Sequence, residues 1–132
     1  MTTQKAPSSA PKSKGKRILI VEDERPLAHA LELKLAHEGY VTETASSGAD
    51  GLKKALTGKF DMILLDLIMP EVDGFAVLTE LKAKKIKTHV IVLSNLGQDE
   101  DKVRAKDLGA VDYFVKANTP IIDIVKRIRA TL

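Results

Sequence analysis

The chain has 132 residues, no Cys, no Trp and a formal net charge of +3, enough length for one domain with one sizeable core. The lack of Cys excludes a disulfide framework, a thiol nucleophile and a thiolate metal site, and it suits a cytoplasmic setting. The first large apolar residue after Met1 is Ile18, so neither a secretory leader nor a membrane span is expected.

Charge divides the chain. Residues 1–17 hold Lys5, Lys12, Lys14, Lys16 and Arg17 without a single Asp or Glu, whereas the remainder has 16 basic and 18 acidic residues. Three prolines or glycines (Pro7, Pro11, Gly15) and three serines (Ser8, Ser9, Ser13) make residues 1–16 too polar and turn-prone to order themselves. A disordered basic tail is expected there. It has no aromatics for stacking and, even with Arg17, only five charges, so nucleic acid is not an expected partner.

From Arg17 onward, strands and helices are expected to alternate. Arg17–Val21 is a short β-rich run. Residues 25–38 place Leu27, Leu31 and Leu35 on one helical stripe that ends at Gly39. Val41–Thr44 interleaves polar residues, as an edge strand wetted on one face would. Ser46 or Ser47 caps a second helix through Leu56, closed by Gly58. Met62–Leu65 and Val90–Leu93 are continuously apolar, as strands covered on both faces are. Between them, Asp73 caps a helix through Lys84. Residues 98–108 form a charged helix, Val111–Val115 a fifth strand, and Thr119-Pro120, a cap followed by Pro in the first turn, opens the last helix. That helix aligns Ile121, Ile124/Val125, Ile128 and Leu132.

Five strands alternating with five helices predict an α/β domain, a flavodoxin-like doubly wound (βα)5 fold with a five-stranded parallel sheet in the order 2-1-3-4-5. Ligands of such sheets sit beyond the carboxyl ends of the strands. Strand one there ends in Glu22-Asp23, strand three in Asp66, strand four in Ser94 and strand five in Lys116. Carboxylates so placed repel one another without a counter-charge, and a hard cation such as Mg²⁺ answers that need. With Lys116 beside it, this becomes a pocket for phosphoryl oxygens next to a carboxylate nucleophile. His29, His37 and His89 gather no third ligand and are expected at the surface.

The sequence resembles the receiver domains of bacterial response regulators, of the single-domain chemotaxis-regulator type. The resemblance spans residues 17–132. It rests on Ile18-Leu19-Ile20-Val21-Glu22-Asp23-Glu24, on Met62 through Pro70 with Asp73-Gly74-Phe75, on Ile91-Val92-Leu93-Ser94, and on Asp112-Tyr113-Phe114-Val115-Lys116. It implies phosphorylation of Asp66 by a sensor histidine kinase or a phosphotransfer protein. Mg²⁺ would be held by Asp23, Asp66 and the Ile68 backbone carbonyl, with Glu22 acting through water. Ser94 stands at the switch hydroxyl, Lys116 at the phosphate-binding lysine, and Tyr113 at the aromatic that turns inward on activation.

The same resemblance implies a stand-alone, cytoplasmic receiver without an output domain. It would be a monomer or a phosphorylation-dependent dimer, with no membrane partner. Its helix 4–strand 5–helix 5 face would switch to bind a downstream protein. It would be no enzyme beyond its own phosphotransfer and dephosphorylation. Two departures stand out. Ala117 follows Lys116 where family members often carry a Pro with a cis bond, so either a strained cis bond or a differently aimed Lys116 is expected. Asn95 follows Ser94 in place of Ala or Gly, a bulk expected to narrow access. A haloacid-type phosphatase would need a second Asp at position 68, which is Ile; no GxGxxG or P-loop motif occurs.

Overall fold

The computed structural model describes residues 15–132; the expected basic tail otherwise lies outside the described residues. The strands are β1 (Arg17–Val21), β2 (Val41–Ala45), β3 (Met62–Leu65), β4 (His89–Ser94) and β5 (Asp112–Val115). The helices are α1 (Arg25–His37), α2 (Gly48–Thr57), α3 (Gly74–Ala83), α4 (Asp99–Asp107) and α5 (Ile121–Thr131). All strand pairs are parallel, in the order β2-β1-β3-β4-β5. The expected architecture is the observed one.

Two-residue alternation along the central strands explains why both faces are covered. Leu19 and Val21 of β1, Ile63 and Leu65 of β3, and Val90 and Val92 of β4 point to one side. There they pack with Ala55 of α2, Phe75, Leu78 and Leu81 of α3, and Ala105 of α4. Ile18 and Ile20, Met62 and Leu64, and Ile91 and Leu93 point to the other side, against Leu31 and Leu35 of α1 and Ile124, Val125 and Ile128 of α5. Burying one such side chain is worth about 2 kcal/mol, so these two layers hold the strands in register and fix where their carboxyl ends fall.

Helix starts follow their caps. The Ser47 hydroxyl accepts from the Asp50 N–H at 3.1 Å, and the Asp73 carboxylate accepts from the Ala76 N–H at 2.9 Å. One start differs from expectation. Thr119 does not cap α5: its hydroxyl donates back to the Val115 carbonyl at 2.9 Å, and Pro120, in extended backbone, takes the cap position. The intervening residues, Lys116–Asn118, form a 3-10 turn. Of the local bonds open to this hydroxyl, the one to a carbonyl four residues upstream is the one formed.

Candidate functional site

The β1, β3, β4 and β5 strands end side by side, and their next residues converge. The Glu22 N–H donates to the Ala45 carbonyl and the Asp66 N–H to the Val21 carbonyl, each at 3.0 Å. These bonds carry the sheet ladder one residue past the strands and fix both carboxylates. Gly74 closes the site from below. A Cβ there would collide with the Asp66 carbonyl oxygen and the Leu67 Cα, so only glycine lets α3 begin this close to the acceptor strand.

Lys116 is the centre of the charge network. Its Nζ lies 2.8 Å from Glu22 Oε1, 3.1 Å from Asp66 Oδ2 and 3.3 Å from Glu24 Oε2. Glu22 and Asp66 are each only 3% exposed. No cis peptide bond occurs among the described residues, and Lys116 reaches Asp66 all the same; Ala117 leaves the lysine correctly aimed. The other Asp66 oxygen, Oδ1, accepts from the Ile68 N–H at 3.2 Å. Ser94 is fully buried, and its Oγ accepts from the Leu96 N–H at 3.3 Å. The Ser94 hydroxyl also faces the Tyr113 phenol, and a hydrogen bond between them pulls against the rise in the phenol's pKa.

Burial dominates the electrostatics of Glu22. It pushes the carboxyl up to about 7, against the pull of Lys116 and the Glu24 N–H, with the nearby Asp66 charge adding to the rise. For Lys116, burial works against the charge, but the hydrogen bonds to Glu22 and Asp66 outweigh it and hold the ammonium above its ordinary range. Desolvation, then the negative charges of Asp101 and Asp66, raise the Tyr113 phenol.

Glu22, Asp23 and Asp66 each bring a carboxylate oxygen within 4.8 Å of the others. Asp23 is exposed and uncommitted among the described residues. Three hard oxygen donors, one open to solvent, fit a divalent cation of the Mg²⁺ kind.

Every residue read from the strand ends is thus in or beside one site. Tyr113 joins it indirectly, its hydroxyl donating to the Leu96 carbonyl at 2.5 Å. Asn95 departs from expectation: its carboxamide oxygen turns away to accept the Ala117 N–H at 3.2 Å, bracing the β5 loop. Glu24, in the same acidic run as Glu22, is the contact the strand-end reading missed. The histidines are exposed, as expected.

Comparison with known proteins agrees with this geometry. A family model for the response regulator receiver domain matches residues 18–129. Response regulator ArlR of Staphylococcus aureus is 42% identical over 116 residues, 88% of this chain and 52% of ArlR. The chain spans about half the length of the curated relatives it matches. Among solved structures, the Francisella response regulator 1452 receiver domain is 29% identical and superimposes with a TM-score of 0.83, covering 88% of this chain and 95% of that one. The Thermotoga maritima response regulator TrrA, solved with Mg²⁺ and BeF, is 31% identical with a TM-score of 0.79, covering 89% and 99%. With the fold, the acidic cluster and the family match in agreement, the chain belongs to the response regulator receiver domains of two-component systems.

Proposed function

We propose that Asp66 is a phosphoacceptor, and that the protein carries a signal by binding differently once phosphorylated. The observation that carries this reading is the ring of groups on one buried carboxylate: Lys116 on Oδ2, the Ile68 N–H on Oδ1, and Glu22 and Asp23 alongside. An Asp66 oxygen attacks phosphorus in line, the P–O bond forms as the bond to the donor breaks, and the donor leaves with that electron pair. A histidine kinase or phosphotransfer protein is the fitting donor. Its imidazole is a good leaving group, and the domain then needs no enzymatic activity beyond its own phosphotransfer and hydrolysis.

Mg²⁺, bound by Asp23, Asp66 and the Ile68 carbonyl with Glu22 behind a water, would offset charge on the phosphoryl oxygens. The Mg²⁺ complex of TrrA supports that choice of metal. Lys116, already within reach of Asp66, moves its charge to a phosphoryl oxygen. Ser94 turns its hydroxyl from Tyr113 to donate to another.

The switch follows from the Leu96 backbone, whose N–H holds Ser94 and whose carbonyl holds Tyr113. When Ser94 turns to the phosphoryl group, the first bond is lost and the second is disturbed. Tyr113 is then free to move into the vacated space. The surface altered is that of α4, β5 and α5, where Val103 and Ile122 are exposed and a downstream protein would dock. Such a relay is at home in the cytoplasm, and no helix among the described residues is long and apolar enough to cross a membrane.

Asp66→Asn should abolish incorporation of phosphate from acetyl phosphate, and chelating Mg²⁺ should do the same to the unmutated protein. Undiminished labelling of the variant at a single site, read by mass spectrometry, would overturn the assignment.

A further inference from the structure

Lys116 reaches Glu22 and Asp66 from a backbone that has little to hold it. The 3-10 turn Lys116–Asn118 contains no buried residue, and no side chain caps either the turn or the start of α5. Its closing bond, from the Thr119 N–H to the Lys116 carbonyl, is 3.4 Å long, beyond the usual range of about 2.7–3.2 Å. The Thr119 hydroxyl ties the turn only to Val115, the last residue of its own strand. A lysine side chain is a flexible four-carbon stem, aimed only as well as the backbone that bears it. Yet its Nζ stands 2.8 Å from Glu22 and 3.1 Å from Asp66.

The missing support comes from the neighbouring strand. The β4–β5 ladder pairs Ser94 with Val115 as its last residues, and one residue further on the two chains part into separate loops. There a side chain bridges the gap: Asn95 Oδ1 accepts the Ala117 N–H at 3.2 Å. Among the described residues no other side chain bonds the backbone of the turn.

This bond needs both of the residues that depart from the receiver pattern. A proline at position 117 would have no N–H to give, and an alanine or glycine at position 95 would have no side-chain oxygen to receive it. Each departure supplies half of one contact. The bond lies at the surface, where a hydrogen bond adds little to overall stability. Its place, one residue from Lys116, gives it a different use.

We infer that Asn95 is a positioning residue, whose carboxamide holds the Ala117 N–H and so keeps Lys116 aimed at Glu22 and Asp66. The consequence for phosphoryl acceptance rests on the reading of Asp66 as phosphoacceptor; the aim of the lysine does not. Lys116 moves its charge onto a phosphoryl oxygen only if it starts in reach of the acceptor, and Asn95 acts through it without touching the reacting atoms.

The test is NMR of the isotope-labelled, metal-free full chain, followed by labelling with acetyl phosphate and Mg²⁺. In the parent, the bonds to Glu22 and Asp66 protect the Lys116 ammonium from exchange and make its signal observable. Asn95→Ala should speed exchange at the Ala117 amide about fivefold and lose the ammonium signal, while the rest of the amide spectrum shows that the variant folds. Asn95→Asp keeps an accepting oxygen at the same reach. It should restore both readings in about 1 M salt, where its added charge is screened. Asn95→Ala should also take label about fivefold more slowly than the parent, and should cost nothing further in a Lys116→Gln background. An intact ammonium signal in Asn95→Ala overturns the inference, whatever happens at Ala117. So does failure of Asn95→Asp to restore the two readings, or an equal loss of rate with and without Lys116, which would make Asn95 a structural residue only. A parent that takes no label while both NMR effects are present overturns the phosphoacceptor reading and leaves the role of Asn95 supported.

Discussion

At Lys116 a single ammonium group serves three carboxylates, and its bonds to Glu22 and Asp66 are the shortest of the set. Removing the cation would leave two buried acids facing each other, which is why a buried pair is costly to break and of little net benefit to stability. Glu22 shows the cost most clearly, with its pKa raised by burial from 4.5 to about 7. Below pH 4.5 the carboxyl is neutral in folded and unfolded chains alike. As pH rises towards 7 the unfolded chain ionises first, so the stability contributed by this group is lost across that window and stays lost above it. Glu22→Gln cannot ionise. In EDTA at pH 8 the variant should be more stable than the parent, by on the order of 2 kcal/mol, and the gap should close by pH 4.5. Urea unfolding at the two pH values measures it. A variant less stable than the parent at pH 8 would mean that the bond to Lys116 outweighs the burial.

Among the elements, the loops that carry the site differ in how legible they were. The apolar runs Met62–Leu65 and Val90–Leu93 identified covered central strands, and the interleaved Val41–Thr44 an edge strand, because burial on two faces or one dictates those patterns. The strand order then placed Glu22, Asp66, Ser94 and Lys116 together without any knowledge of side-chain positions. The contacts of Glu24 and Asn95 were not legible, since they depend on loop paths: Glu24 Oε2 meets Lys116, and Asn95 Oδ1 meets the Ala117 N–H. Nor was the start of α5, because Thr119 has two backbone partners open to it and local sequence does not choose between them. Gly74 belongs to the legible part of the motif, but only the structure gives its reason. Gly74→Ala should cost on the order of 3 kcal/mol, because the added methyl meets the backbone of Asp66 and Leu67 and no flexible side chain there could yield. The same variant should accept phosphate more slowly, since relief requires moving the acceptor itself. An unchanged urea midpoint would show that the β3–α3 loop has slack.

Across the whole molecule the individual helices are unequally attached. On one side α1 buries Ala28, Leu31 and Leu35, and α5 buries Ile124, Val125 and Ile128. On the other, α4 buries only Ala105 and leaves Val103 59% exposed. Its remaining ties are polar and lie at the surface: Arg104 over the Phe75 ring at 4.0 Å, and the Lys82 ammonium on the Asp107 carbonyl at 2.8 Å. An element with one buried side chain opens at little cost in free energy, so α4 is the part of the scaffold that a small change at Ser94 and Tyr113 can shift. The α1 face, anchored by three buried residues, has no such freedom. Amide hydrogen exchange should therefore find α4 the least protected helix in the metal-free protein. Adding beryllofluoride with Mg²⁺, as a stand-in for the phosphoryl group, should change protection in α4, β5 and the start of α5 and leave the middle of α1 as it was. Changes confined to α1 and α2 would contradict this view, and would move the signalling surface to the opposite half of the molecule.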